Sequence, residues 1–112
     1  MLPKSQRLNL KKDFKRIMAG KKLEAKYLKL FIKLGDNKSP KIGIAVSSKV
    51  LRKATQRNRA RRLVSAAIES LYLKLPNNIN IIALPKAGVI KVKSGDVRLD
   101  LENVLKDEKI IN

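Results

Sequence analysis

Four arginines fall within six positions in the run Gln56-Arg57-Asn58-Arg59-Ala60-Arg61-Arg62. Guanidinium groups at this density suit phosphate, and Asn58 between two of them adds an amide that can meet a phosphate, a sugar or a hydrated metal ion. From Ala60 onward, apolar residues recur at Leu63, Val64, Ala67, Ile68, Leu71 and Leu75, the spacing of a helix with one buried stripe. Helical geometry then puts Arg57, Asn58, Arg61, Arg62 and Ser65 on one flank of that stripe and Arg59 on the other. The cluster stands where a helix least favours it, because the first turn carries the positive end of the macrodipole and prefers acids. Arg57 and Arg61 also form a like-charge i, i+4 pair, unlike an ordinary solvated face. A polyanion meeting the guanidinium groups and the free N–H groups of that turn would relieve both conflicts.

Elsewhere the chemistry is sparse. Phe14 is either a core residue at helical spacing or a platform for an unpaired base. Asp96 and Asp100 stand one helical turn apart, a pattern that reads as an N-cap and a first-turn acid rather than a catalytic pair. With neither Cys nor His, the chain lacks the residues for a zinc site, a thiol nucleophile or an imidazole base. No catalytic residue and no protein-held metal or other cofactor is expected.

The 27 Lys plus Arg against 9 Asp plus Glu leave a net charge of +18, far beyond what solubility requires. The charge is uneven: residues 1–36 carry 11 basic and 3 acidic groups, residues 37–95 carry 13 and 1, and residues 96–112 carry 3 and 5. A polyanionic partner is implied, with a footprint that avoids the C-terminal helix. The 112 residues make a single domain with a modest core of Leu, Ile and Val. No apolar run reaches signal-peptide or membrane-span length, and the absence of Cys fits a reducing compartment, so a cytoplasmic protein without membrane attachment is expected.

The elements that must position the arginines follow from periodicity. Residues 1–8 read as a basic, poorly fixed arm. A helix opens at Asn9, shows Leu10, Phe14, Ile17 and Met18 on one face, and stops at Gly20. After a short strand near Lys22 to Lys26, Leu28, Leu30, Ile32 and Leu34 alternate with Tyr27, Lys29, Phe31 and Lys33, giving a strand with one buried and one wetter face. The turn Gly35 to Pro40 leads to Ile42 to Ser47, read as the second strand of a hairpin, with Gly43, Ala45 and Ser47 on a face narrow enough for close approach. The arginine helix runs from a Thr55 N-cap to Leu75. An inner strand, Ile79 to Leu84, a loop Pro85 to Lys93 and a last helix with the stripe Val97, Leu101, Val104 and Leu105 complete the order α-β-β-β-α-β-α. The fold class is α+β, one mixed sheet with helices packed on it.

Arg7-Leu8, Asp13-Phe14, the segment Lys41-Ile42-Gly43-Ile44-Ala45-Val46-Ser47-Ser48-Lys49, Ala54 and the arginine run through Leu63 stand in an order that resembles the protein subunit of bacterial ribonuclease P. The resemblance implies an α/β sandwich with a left-handed crossover around the arginine helix. It also implies a division of labour in which the RNA subunit, with Mg2+, cleaves the 5′ leader from precursor tRNA. The protein, one copy with one RNA, would bind that RNA and hold the leader between the first helix and the sheet. Carried over by residue, Arg57, Asn58, Arg59, Arg61 and Arg62, with Lys49, Arg52 and Lys53, would contact RNA, and Asn58 would lie near an RNA-bound magnesium ion. Phe14, Met18, Ile32, Ser47 and Lys49 would line the leader cleft. Met18 and Ile32 replace aromatics common in the family, and Ser65-Ala66 replace a polar pair. The segment Val50 to Ala54 lacks the customary glycine. The alternative reading is a ribosome- or assembly-associated RNA-binding protein; a free-standing nuclease using the C-terminal carboxylates is a remoter one.

Overall fold

The computed structural model describes residues 2–111. Its elements are α1 (Leu10–Met18), β1 (Lys21–Glu24), β2 (Leu28–Leu34), β3 (Lys41–Ile44), α2 (Ala54–Leu71), β4 (Ile79–Pro85) and α3 (Ser94–Asp107), the order that periodicity predicts. Short 3-10 turns at Lys4–Gln6, Tyr72–Lys74 and Ala87–Lys91 join them. The strands form one mixed sheet in the order β1-β2-β4-β3, with β3 and β4 parallel and the other neighbours antiparallel.

The expected β2–β3 hairpin does not form, because β4 lies between those strands. The physical reason is burial: β4 is a nearly continuous apolar run, Ile79-Asn80-Ile81-Ile82-Ala83, all of it buried, and such a strand needs cover on both faces and a neighbour on both edges. Gly35 to Pro40 therefore spans the end of β4 instead of closing a tight turn. Asn37 Nδ2 donates to the carbonyls of Ser39 (2.7 Å) and Ile79 (3.0 Å), while buried Asn80 donates to Asn37 Oδ1 at 3.0 Å and to the Lys33 carbonyl at 3.2 Å. One polar position in the inner strand thus fastens the loop that crosses it.

Helices α2 and α3 pack on each other and cover one face of the sheet. Leu28, Leu30, Ile32, Ile42, Ile79, Ile81 and Ala83 meet Val64, Ile68, Leu71, Val97, Leu101 and Leu105 there. Each fully buried Val, Leu or Ile side chain among them contributes about 1.5–3 kcal/mol. Helix α1 lies on the other face, where Ile17 and Ile82 are completely buried outside the main core. Gly43 makes this possible: a Cβ there would lie 2.5 Å from Leu10 Cδ2, so the narrow face receives the first turn of α1. Leu34, expected in the core, is 60% exposed at the strand end, beyond the cover of the helices.

The N-terminal segment is not the poorly fixed arm expected from its composition but extends the edge of β3, because that edge leaves main-chain groups to pair and an apolar pocket for Leu2. Leu2 is buried, Arg7 bridges Ile42 in parallel, Leu8 N–H donates to the Ile42 carbonyl at 2.9 Å, and Lys41 Nζ donates to the Ser5 carbonyl. Met1, part of the expected arm, lies outside the described residues.

Candidate nucleic-acid interface

Helix α2 starts one residue before the expected Thr55 cap. Its N-cap is Lys53, no side chain caps it, and no acid occupies its first turn. It ends at Leu71 and passes into the 3-10 turn, so Leu75 belongs to the connection and not to the helix. Ala60, Val64, Ala67, Ile68 and Leu71 form the buried stripe. Ser65, expected on the basic flank, is also buried, which ends the polar flank at Arg62.

The arginines divide by what they hold. Arg57 turns back and donates through Nη1 to the carbonyls of Leu51 and Arg52, both at 2.9 Å. It thereby fixes the loop carrying Lys49, Arg52 and Lys53, all exposed around the helix start. Arg59, on the opposite flank as helical geometry requires, donates through Nε to the Ile90 carbonyl at 3.1 Å and secures the 3-10 turn before α3. Arg61 and Arg62 remain, and with Thr55 and Asn58 they line a groove of about 390 Å³. Asn58 Oδ1 accepts from Arg61 Nη1 at 3.2 Å. That arrangement does not fit a protein-held divalent cation, since the amide oxygen is already committed to a guanidinium and the surrounding charge is positive. It fits an anion, which can meet guanidinium N–H groups, the Asn58 amide and the uncapped helix start together.

On the α1 side of the sheet, a second groove of about 250 Å³ is walled by Lys29, Ala45, Ser47, Leu84 and Lys86. Ser47 lines it, and its hydroxyl accepts the Lys49 N–H at 3.1 Å, so a local turn holds Lys49 next to this wall. Phe14 and Met18 stand half-buried on α1, on the same side of the sheet. Ile32 does not. It is 7% exposed and packs in the core beneath α2 and α3, because alternate residues of a strand face opposite ways. The aromatic on the α1 side is its neighbour Phe31, half-buried and paired with Ile82 across the sheet. Neither Lys29, which lines this groove, nor Phe31 was named from the sequence as a candidate, although the alternation of β2 already put both on this face. Lys86 had no sequence signal: its ammonium bridges the Glu24 carboxylate and the Ala25 carbonyl, both at 2.7 Å. The hydrogen bond from Lys86, opposed by a smaller burial effect, holds the Glu24 carboxyl below its ordinary pKa.

The two C-terminal carboxylates have structural partners. Asp96 is not the N-cap, which is Lys93, but the third residue of α3, accepting the Lys93 N–H at 3.0 Å in a capping box. Asp100 is not a first-turn acid but lies mid-helix and accepts the N–H groups of Lys26 and Tyr27 at 2.9 and 2.8 Å. Among the described residues, no group of acids is arranged to hold a metal ion, and no helix is long and apolar enough to cross a membrane.

The ribonuclease P family model matches residues 2–109. The chain belongs to the ribonuclease P protein family. A relative, the ribonuclease P protein component of Pseudanabaena sp., is 32% identical over 114 residues, covering 100% of this chain and 98% of that protein. The solved RNase P protein from Thermotoga maritima is 30% identical, with a TM-score of 0.79 over 89% of this chain and 97% of that one. An RNase P protein from Staphylococcus aureus, 22% identical, superposes with a TM-score of 0.81 over 97% of this chain and shows the same fold. As a ribonuclease P protein component, the chain is an RNA-binding protein of tRNA processing. An arginine helix without a neutralising acid in its first turn accords with that membership.

Proposed function

We propose that this protein binds the catalytic RNA of ribonuclease P through the α2 arginine face and takes the 5′ leader of precursor tRNA into the groove between α1 and the sheet. The observation that carries the reading is the convergence of Arg61, Arg62, Asn58 and Thr55 at an uncapped helix start. Arg57 and Arg59 hold that surface in shape through their bonds to the Leu51, Arg52 and Ile90 carbonyls. Lys29 lines the leader groove and exposed Lys49 stands next to its Ser47 wall, supplying charge to a phosphate backbone, while half-buried Phe14 and Phe31 on the same side of the sheet offer ring faces to unpaired bases. In this reading the endonucleolytic step belongs to the RNA, and the Mg2+ it uses is held by RNA oxygens. The protein neutralises phosphates, lowers the Mg2+ concentration needed, and favours precursor over mature tRNA. A cytoplasmic complex of one protein with one RNA follows from the same reading.

The deciding experiment is 5′ cleavage of a precursor tRNA by the ribonuclease P RNA at low Mg2+, with RNA alone, protein alone and both together. Cleavage only with both present is the expected result. Cleavage by protein alone, or no stimulation of the cognate RNA, overturns the reading.

A further inference from the structure

Three depressions are joined by shared arginines. Arg61 lines both the α2 groove and a cavity of about 180 Å³ against Leu10 and Gly43 at the β3 edge. Arg7 lines that cavity and also a broader groove of about 530 Å³ between α1 and the loop from Gly35 to Pro40. The broader groove carries Arg7, Lys12, Arg16 and Lys41. Two acids face it. Asp13 is paired with Arg16 at 3.2 Å, and Asp36 stands in the loop at its far end. With the Asp13–Arg16 pair set aside, Arg7, Lys12 and Lys41, whose ammonium also donates to the Ser5 carbonyl, stand against Asp36 alone and leave the groove net positive.

We infer that RNA docked on the α2 arginine face continues across Arg61 and Arg7 into this groove, making it a second phosphate track for the RNA subunit. The inference rests on the proposed function and extends it to a surface outside the leader groove, which shares none of these residues. The shape is suitable for three reasons. Arg7 is held by its main chain in the bridge to Ile42, so its side chain is exposed and free of structural duty. Lys12 is exposed on α1, away from the buried Ile17. The floor contains the Asn37–Asn80 amide network and the Leu8 side chain, a rigid surface rather than a mobile loop. A single-stranded leader would enter from the Ser47 side, whereas a strand already seated on α2 reaches this groove along the β3 edge. The occupant is therefore RNA-subunit backbone.

Arg7→Ala together with Lys12→Ala removes two cations without touching a main-chain hydrogen bond. Binding to the ribonuclease P RNA should weaken about tenfold near 0.15 M salt, and the slope of log K against log salt should flatten by about one to two units. The preference of the saturated holoenzyme for precursor over mature tRNA should stay unchanged. Arg61→Ala with Arg62→Ala serves as the reference: if it weakens RNA binding while the groove variant, still folded by circular dichroism, does not, the track is rejected and the proposed function stands. If neither variant affects RNA binding, both fall. A loss confined to precursor discrimination assigns the groove to the leader and overturns the inference. The chain has no cysteine, so Lys12→Cys gives a unique crosslinking position in an otherwise native protein. Crosslinks to the RNA subunit in the absence of precursor support the track, and crosslinks that need a leader reject it.

Discussion

Phe31 and Ile32 are adjacent and have opposite fates. Ile32→Ala should cost about 2–5 kcal/mol of stability, read from urea unfolding, because it opens a cavity beneath α2 and α3. Phe31→Leu keeps most of the packing and removes the ring. It should lower precursor affinity by roughly tenfold while sparing mature tRNA, within the range of one lost base stack. Equal losses on both RNAs would remove Phe31 from the leader groove. Asp100→Ala should cost about 2 kcal/mol, since it leaves the Lys26 and Tyr27 N–H groups without their charged acceptor, yet leave RNA affinity unchanged. A change in RNA affinity without a change in stability would contradict its structural role. Glu24 provides a titration test. Its folded pKa is depressed, so its contribution is complete above the unfolded value of about 4.3 and is lost as pH falls through the lower folded value. NMR titration should find Glu24 below the ordinary carboxylate range, and Lys86→Ala should move it back up.

At the scale of elements, two glycines set how closely α1 and its following turn approach the sheet. A Cβ at Gly20 would stand 2.4 Å from the Ile32 carbonyl oxygen, a backbone atom that cannot yield without moving β2. At Gly43 the obstacle is the end of the Leu10 side chain, at 2.5 Å. Gly20→Ala should therefore destabilise more than Gly43→Ala, with the latter costing about 1–3 kcal/mol as Leu10 changes rotamer. Equal midpoints in urea would refute that ordering. Helix α2 shows how an element can be locally disfavoured and still form. Its first turn lacks a cap and an acid, but its stripe from Ala60 to Leu71 is buried against the sheet and α3. Packing of that stripe outweighs a terminal electrostatic penalty of order 1 kcal/mol.

For the whole molecule, +18 over 112 residues means that self-repulsion opposes compaction. Adding polyanion or raising salt should raise the melting temperature, polyanion at far lower concentration because it binds the native basic surface. A melting temperature indifferent to both would show that the charges are already balanced within the fold. Much of this was legible in the chain. Element order followed from periods of 3.6 and 2, which are local properties, and the arginine flank followed from helical geometry without knowledge of any neighbour. The fate of Ile32 was equally available from strand alternation. What only the tertiary structure decided was adjacency. Whether β3 pairs with β2 or with β4 depends on which strand can be covered on both faces, a comparison among distant segments that no window of sequence contains. The same holds for what each arginine meets: Arg57 and Arg59 find carbonyls on loops five to thirty-three residues away, whereas Arg61, bonded only to Asn58 of its own helix, and Arg62 line the open groove. Spacing determines that four guanidinium groups lie on one helix, and the packed surroundings of that helix determine what each one meets.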